Sequence, residues 1–186
     1  MNILFLGYHE NPVIDFLKID NFVVTCNDKV SPEFVKSFDY VVSYGYTHIL
    51  KKNVIDACRA GIINLHISYL PWNRGMYPNF WSFVEDTKKG VSIHFIDEGI
   101  DTGDIIFQKE VVFDDEDTLQ KTYYRLRQEI EKLFIKNWQN IVSGNYVRMK
   151  QMGTGSFHLK KDLESYELPN GWQTEISKLK ELKKRG

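Results

Sequence analysis

Residues 61–108 read GIINLHISYLPWNRGMYPNFWSFVEDTKKGVSIHFIDEGIDTGDIIFQ, and the rest of the chain is arranged around them. Two apolar runs, Ile62-Ile63 and Val91 to Ile96, lead into polar loops, which is how a sheet delivers side chains to a cleft. Asn64 and His66 lie two residues apart, so on a continuing strand both side chains emerge on one face. A donating amide beside an imidazole suits the oxyanion that forms when a nucleophile attacks an acyl carbon. Asp101 follows the second run and a loop containing Gly99. A carboxylate there can orient His66, hold it cationic, or take a proton from an attacking amine. By itself such a trio is weak evidence, and structural satisfaction of buried polar groups is the usual reading.

Outward from this stretch, Asn2 to Tyr8, Phe22 to Cys26 and Tyr40 to Tyr44 have the apolar character of strands. Pro12 to Leu17 suits a helix with proline in its first turn, and Ser31 caps a second helix through Val35. Strands alternating with short helices predict a parallel, doubly wound α/β sheet, with ligands beyond the carboxyl ends of its strands. The first such end, Gly7-Tyr8-His9-Glu10-Asn11-Pro12, carries neither a dinucleotide fingerprint nor a phosphate-cradling loop. Thr47-His48-Ile49-Leu50 is read as the start of a helix continuing through Val54, Ile55 and Cys58.

The run from Tyr69 to Trp81 is dense in aromatic residues. Phe80, Trp81, Phe83 and Val84 have helical spacing and are assigned to the core. Asn73, Arg74 and Tyr77 remain as substrate candidates, because aromatic faces stack sugars or bases and a guanidinium forks onto phosphate. His94 shares a strand face with Ser92 and lacks further nitrogen or sulfur ligands at a metal spacing, so a packed, hydrogen-bonded histidine is expected and no metal. Asp117 to Gln120 has the form of a capping box before a helix with apolar Leu119, Tyr123, Leu126, Ile130, Leu133 and Phe134, ending near Ser143-Gly144-Asn145. That helix is read as core with no part in chemistry. Lys178, Lys180, Lys183 and Lys184 read as a solvated basic face. Trp172 and Ile176 suit a homodimer contact or packing within one chain.

At 186 residues and 42% hydrophobic, the chain can bury one good core and a small appendage. The expected division is 1–146 as a catalytic domain and 147–186 as an appendage. A formal charge of −1 and a pI near 6.5 give no global field for nucleic acid. Cys26 and Cys58 have no metal spacing and fit reduced thiols in a cytosolic protein. Neither a leader nor eighteen consecutive apolar residues is visible, so a soluble, cytoplasmic chain with no membrane partner is expected.

N-L-H-I-S-Y-L-P-W-N-R-G followed by G-V-S-I-H-F-I-D-E-G-I-D-T-G-D-I-I resembles the core signature of the folate-dependent formyltransferases, with S-Y-G-Y-T-H-I-L upstream where that family meets folate. The resemblance covers about Asp39 to Tyr146. It implies the Rossmann-like formyltransferase fold with a shortened N-terminal half, and formyl transfer from 10-formyltetrahydrofolate to a primary amine. It implies catalysis by Asn64, protonated His66 and Asp101. His48, Ile49 and Leu50 would line the pteridine pocket, and Asp97, Glu98, Gly99 and Ile100 would form the folate-binding loop. The first loop is not the glycine- and serine-rich loop of glycinamide ribonucleotide formyltransferase. Methionyl-tRNA formyltransferase carries an additional C-terminal domain for which this chain has no room. The aromatic loop and the tail G-T-G-S-F-H-L-K-K-D-L look most like enzymes that formylate a nucleotide-linked amino sugar as used for surface polysaccharides. Alternatives are a formyltetrahydrofolate hydrolase, a glycinamide ribonucleotide-type enzyme, or a non-catalytic folate- or nucleotide-binding module.

Overall fold

Alternating apolar runs and proline-led helix starts produce the expected βα order. The structure is a computed structural model that describes residues 1–182; Lys183 and Lys184 of the basic tail lie outside the described residues. Strand β1 (Asn2–Gly7) is followed by α1 (Pro12–Lys18), β2 (Phe22–Cys26), α2 (Pro32–Val35), β3 (Tyr40–Tyr44), α3 (Lys52–Ala57) and β4 (Ile62–His66). Asn11 caps α1 by accepting from the N–H groups of Val13 and Ile14. Ser31 caps α2, again with proline at its start, where the ring's fixed φ suits the first turn and no N–H is wasted.

The helix expected from Thr47 begins instead at Lys52. The side chain of its N-cap residue, Lys51, makes no capping bond, and Gly45, at φ 71°, turns the chain across the strand ends. Residues 47–51 are therefore loop, and Ile49 is 81% exposed. The chain continues through β5 (Arg74–Gly75), α4 (Pro78–Val84), β6 (Gly90–Phe95), β7 (Ile105–Glu110) and α5 (Leu119–Val142). Thr118, not Asp117, is the N-cap of α5: its hydroxyl accepts from the Lys121 N–H, while the Asp117 carboxylate pairs with the Lys121 ammonium. Last come β8 (Phe157–His158), α6 (Lys160–Leu163) and two 3-10 segments, Gly171–Gln173 and Ile176–Glu181.

The six-stranded sheet has the order β2-β1-β3-β4-β6-β7. The first four strands are parallel, whereas β6 and β7 pair antiparallel. Side-chain alternation sends Ile3, Phe5, Val42, Ile63 and Leu65 against α1 and α5. It sends Leu4, Leu6, Val41 and Ile62 against Val35 and Val54 of α2 and α3. The sheet is thus covered on both faces, as a mainly parallel sheet requires. Asn64 and His66 share the strand face of Ile62, which puts them on the α3 side at the carboxyl edge.

A third apolar cluster joins Phe80, Trp81 and Phe83 of α4 to Leu119, Ile176 and Leu179. The tail is stitched to the rest by three backbone pairings, one of them an antiparallel bridge between Thr118 and Glu175. Met149 bridges Ile105, and β8 runs parallel to β5 in the register Arg74↔Phe157 and Gly75↔His158. Ile176, 5% exposed, packs within its own chain, while Trp172 is 43% exposed.

Candidate active site

Antiparallel pairing of β4 and β6 sets Asn64 directly opposite His94, and cross-strand partners on one face are close enough to bond. The Asn64 amide nitrogen lies 3.1 Å from His94 Nε2 and 3.2 Å from Asp101 Oδ1. His94 Nδ1 is 2.8 Å from the Phe95 carbonyl, which requires a proton on Nδ1 and leaves Nε2 free to accept. With that tautomer the two Asn64 N–H groups have one acceptor each, and His94 Nε2 also stands 3.5 Å from Asp101 Oδ1.

Asp101 reaches the cluster on a loop, at φ 53°, a conformation that aspartate tolerates better than most residues. Its Oδ2 accepts from the Gly75 N–H at 2.8 Å and stands 3.7 Å from His66 Nδ1. Its backbone carbonyl accepts from the Gln151 amide at 2.8 Å. His66 Nε2 faces the Asn73 carbonyl at 3.4 Å, so both nitrogens of the buried ring look toward oxygens. Burial nevertheless holds the His66 pKa below the ordinary histidine value; Asp101 pulls it back up in part, and His94 adds to the lowering. For Asp101, burial opposes the charge, but His66, His94 and the Gly75 N–H outweigh it and hold the carboxyl well below the usual range. Burial thus favours the neutral ring at His66, and the surroundings of Asp101 favour its carboxylate.

These side chains line one cavity of about 930 Å³. His48, Ile49 and Leu50 line it from the loop after β3, and Asp97, Glu98, Gly99 and Ile100 from the loop after β6. The second loop is folded by Asp97, whose carboxylate accepts from the Gly99 N–H and the Thr102 hydroxyl. Glu98 pairs with Lys52 at the surface. Exposed apolar edges of Ile49 and Ile100 stand in the same cavity as Asp101, a lining that fits a flat heteroaromatic ring.

Of the substrate candidates, Tyr77 lines the cavity, whereas Asn73 and Arg74 do not. Asn73 is fully buried. It accepts from the Ser156 hydroxyl, donates its backbone N–H back to it, and donates its amide to Thr87. Arg74 Nε donates to the Gln151 side chain at 3.0 Å. Both tie the loop after β4 to the tail. Among the described residues, no group of three His, Cys, Asp or Glu side chains is arranged to hold a metal.

Sequence reasoning missed one wall. The helix read as core alone also presents Gln120, Tyr123, Tyr124 and Arg127 to the cavity. Arg127 Nε donates to the Tyr44 hydroxyl at 3.1 Å, Tyr44 donates to Glu131, and the guanidinium lies 4.5 Å over the Tyr8 ring. Burial pushes the Tyr44 phenol far above its ordinary pKa. The signal was present in the i, i+3, i+4, i+7 spacing of these residues, a second stripe beside the apolar one. His158, Lys160 and Trp172 complete the lining from the tail.

A family profile described as formyl transferase matches residues 27–137. The chain is 33% identical over 132 residues to dTDP-4-amino-4,6-dideoxyglucose formyltransferase of Mycobacterium tuberculosis, covering 71% of this chain and 56% of that protein. It is 40% identical over 114 residues to methionyl-tRNA formyltransferase of Fusobacterium nucleatum, covering 61% and 37%. The chain thus spans about half the length, or less, of these curated relatives. The formyltransferase PseJ of Anoxybacillus kamchatkensis, solved with UDP-4,6-dideoxy-4-formamido-L-AltNAc and tetrahydrofolate, has a TM-score of 0.91 at 43% identity, covering 96% of this chain and 97% of that one.

Proposed function

The chain belongs to the formyl transferase family, and from that premise we propose that it moves a formyl group from 10-formyltetrahydrofolate to the primary amine of a nucleotide-linked dideoxy amino sugar. The observation that carries this reading is the similarity to PseJ along nearly the whole of both chains. The acceptor it favours is UDP-linked, with the amine at the sugar's 4-position. The reaction needs reduced folate and nucleotide sugars together, which suits a cytoplasmic setting. Among the described residues no helix is long and apolar enough to cross a membrane.

The folate supplies an electrophilic formyl carbon, held in this reading between residues 48–50 and 97–100. Asn64 and His66 meet the oxygen on which charge collects as the amine attacks, and preorganised donors in a buried site are worth most there. Both Asn64 N–H groups are engaged in this structure, so meeting that oxygen means releasing one. The bond to His94 Nε2 is the cheaper one to give up, because a hydrogen bond to the Asp101 carboxylate is the stronger of the two. Neutral His66 then takes the proton shed by the amine, and Asp101 stabilises the imidazolium that results. His66 returns the proton to the departing folate nitrogen, which restores the cluster.

The test is tetrahydrofolate formation by purified protein given 10-formyltetrahydrofolate and a panel of UDP- and dTDP-linked 4-amino-4,6-dideoxy sugars. Amine-dependent release that disappears in His66→Ala is the expected result. Release without amine would mark a hydrolase, and folate binding without release would mark a binding module; either overturns the proposal.

A further inference from the structure

Tyr77 and Trp172 come from segments nearly a hundred residues apart, yet their rings meet at 5.8 Å between centroids and 37° between planes. Both line the cavity that holds Asp101, and Trp172 is 43% exposed although it sits in a wall of that cavity. The backbone around Trp172 is fixed. Thr174 is fully buried, its hydroxyl donates to the Gly171 carbonyl at 2.7 Å, and its carbonyl accepts from the Leu119 N–H at the start of α5. Tyr77 is held at φ 57° as the residue before α4. Two pinned aromatic rings in a cavity wall, Tyr77 half-buried against the α4 cluster and Trp172 exposed, form a stacking platform.

Asp101 lies between two walls. Residues 97–100 precede it in the chain, and on its other side the Gly75 N–H donates to its carboxylate. From Gly75 the chain reaches Tyr77 within about 7 Å, so the platform belongs to the wall away from residues 97–100. The parallel register of β5 and β8 pairs Gly75 with His158, and each chain then runs on by two residues, one to Tyr77 and the other to Lys160. Lys160 lines the cavity and has no carboxylate in ion-pair reach among the described residues. Arg127, the cavity's guanidinium, is already engaged by Tyr44 and Glu131.

We propose that Tyr77, Trp172 and Lys160 form the nucleotide subsite: the nucleobase stacks on the Trp172 face and the diphosphate meets the Lys160 ammonium. This rests on the reading of the acceptor as a nucleotide-linked sugar. It places two of the three residues, Lys160 and Trp172, in the C-terminal segment outside the 27–137 region that the family profile matches, and Tyr77 inside it.

The test measures affinities of the full chain for UDP, uridine and 5-formyltetrahydrofolate by calorimetry, in parallel with amine-dependent turnover. Base stacking predicts that Trp172→Ala weakens UDP and uridine alike by roughly 5- to 100-fold, while Trp172→Phe recovers most of the loss. Lys160→Ala should weaken UDP but leave uridine unchanged. None of the three should move folate affinity, and melting curves should show all three folded. Unchanged UDP affinity in Trp172→Ala, in a wild-type enzyme that formylates a nucleotide-linked amine, would overturn the subsite and leave the activity standing. A loss of folate affinity in Trp172→Ala would give this platform to the folate and also overturn the proposal. A wild-type protein that neither binds UDP nor accepts any nucleotide-linked amine would remove the activity, and the subsite with it.

Discussion

Replacing Asp101 by asparagine removes one charge and one of the two acceptors that face the Asn64 amide. Asparagine shares aspartate's tolerance of positive φ, so the backbone at 53° is not strained, and its side-chain oxygen can still accept from the Gly75 N–H. The carboxylate lies 3.7 Å from His66 Nδ1. At an effective dielectric constant near 20, that pair is worth about 4 kcal/mol to the imidazolium. At 1.36 kcal/mol per unit, this sets an upper bound of about 3 on the fall in the His66 pKa, and neighbouring charges at this range typically shift a pKa by about 1–3. The direction is downward, because losing a negative neighbour disfavours the protonated ring. The His66 resonance, assigned by its absence in His66→Gln, should titrate at lower pH in Asp101→Asn than in wild type. Turnover should fall about 10- to 1000-fold, following the loss of imidazolium stabilisation. Stability should change by only about 1 kcal/mol, the scale of one altered hydrogen bond. A His66 titration that does not move would refute the electrostatic coupling, whatever happened to the rate.

Asn64→Ala should lower turnover by ~10²–10³, the usual cost of one oxyanion donor, with urea unfolding showing a far smaller effect on stability. Gly7→Ala should destabilise by about 3 kcal/mol or more, because a Cβ there would stand 2.1 Å from the Tyr44 carbonyl oxygen and φ is 107°; differential scanning calorimetry reads the loss. The depressed pKa values of His66 and Asp101 mean that the unfolded chain binds more protons than the folded one. Their stability contribution is present above the unfolded values, about 6.5 and 3.9, and is lost as pH falls toward the folded ones. The Tm should therefore decline on acidification from pH 7.5 to 5.5, with a shallower slope in His66→Gln.

The parts of the site legible in the sequence are those set by local periodicity. Asn64 and His66 share a face because they are two residues apart on a strand, and no tertiary detail can undo that while the strand holds. The unpredicted parts depend on register or on distant partners. His94 faces Asn64 only because β6 returns antiparallel with Asn64↔His94 in register, which sequence order does not specify. Asn73 and Arg74 look like ligand-seeking polar residues, yet Ser156 and Gln151, about eighty residues on, engage them. Thr47 to Leu50 shows the opposite error: apolar spacing was extended backward into a loop whose isoleucine remains exposed. In α5 the apolar stripe is so regular that Tyr123 reads as part of the core, and the adjacent face of Gln120, Tyr124 and Arg127 escapes notice.

The protonation pattern of the cluster bears on which residue handles the proton in the proposed transfer. The resemblance implies a protonated His66, and acceptance of the amine's proton is one of the roles that the sequence leaves open for Asp101. Yet Asp101 is held strongly acidic by His66, His94 and the Gly75 N–H against the cost of burial, and so weak a base is a poor proton acceptor. His66, although depressed, remains the more basic of the two. It is also the group whose protonation is compensated on the spot, with Asp101 on one side and the developing oxyanion on the other. A pre-formed imidazolium would bear the cost of burial with Asp101 alone to offset it, before any oxyanion existed. An imidazolium formed by the amine's own proton appears at the moment when two negative partners are present. The depression of the His66 pKa is therefore compatible with catalysis, provided that Asp101 stays ionised, and the hydrogen bonds from Gly75 and Asn64 keep it so.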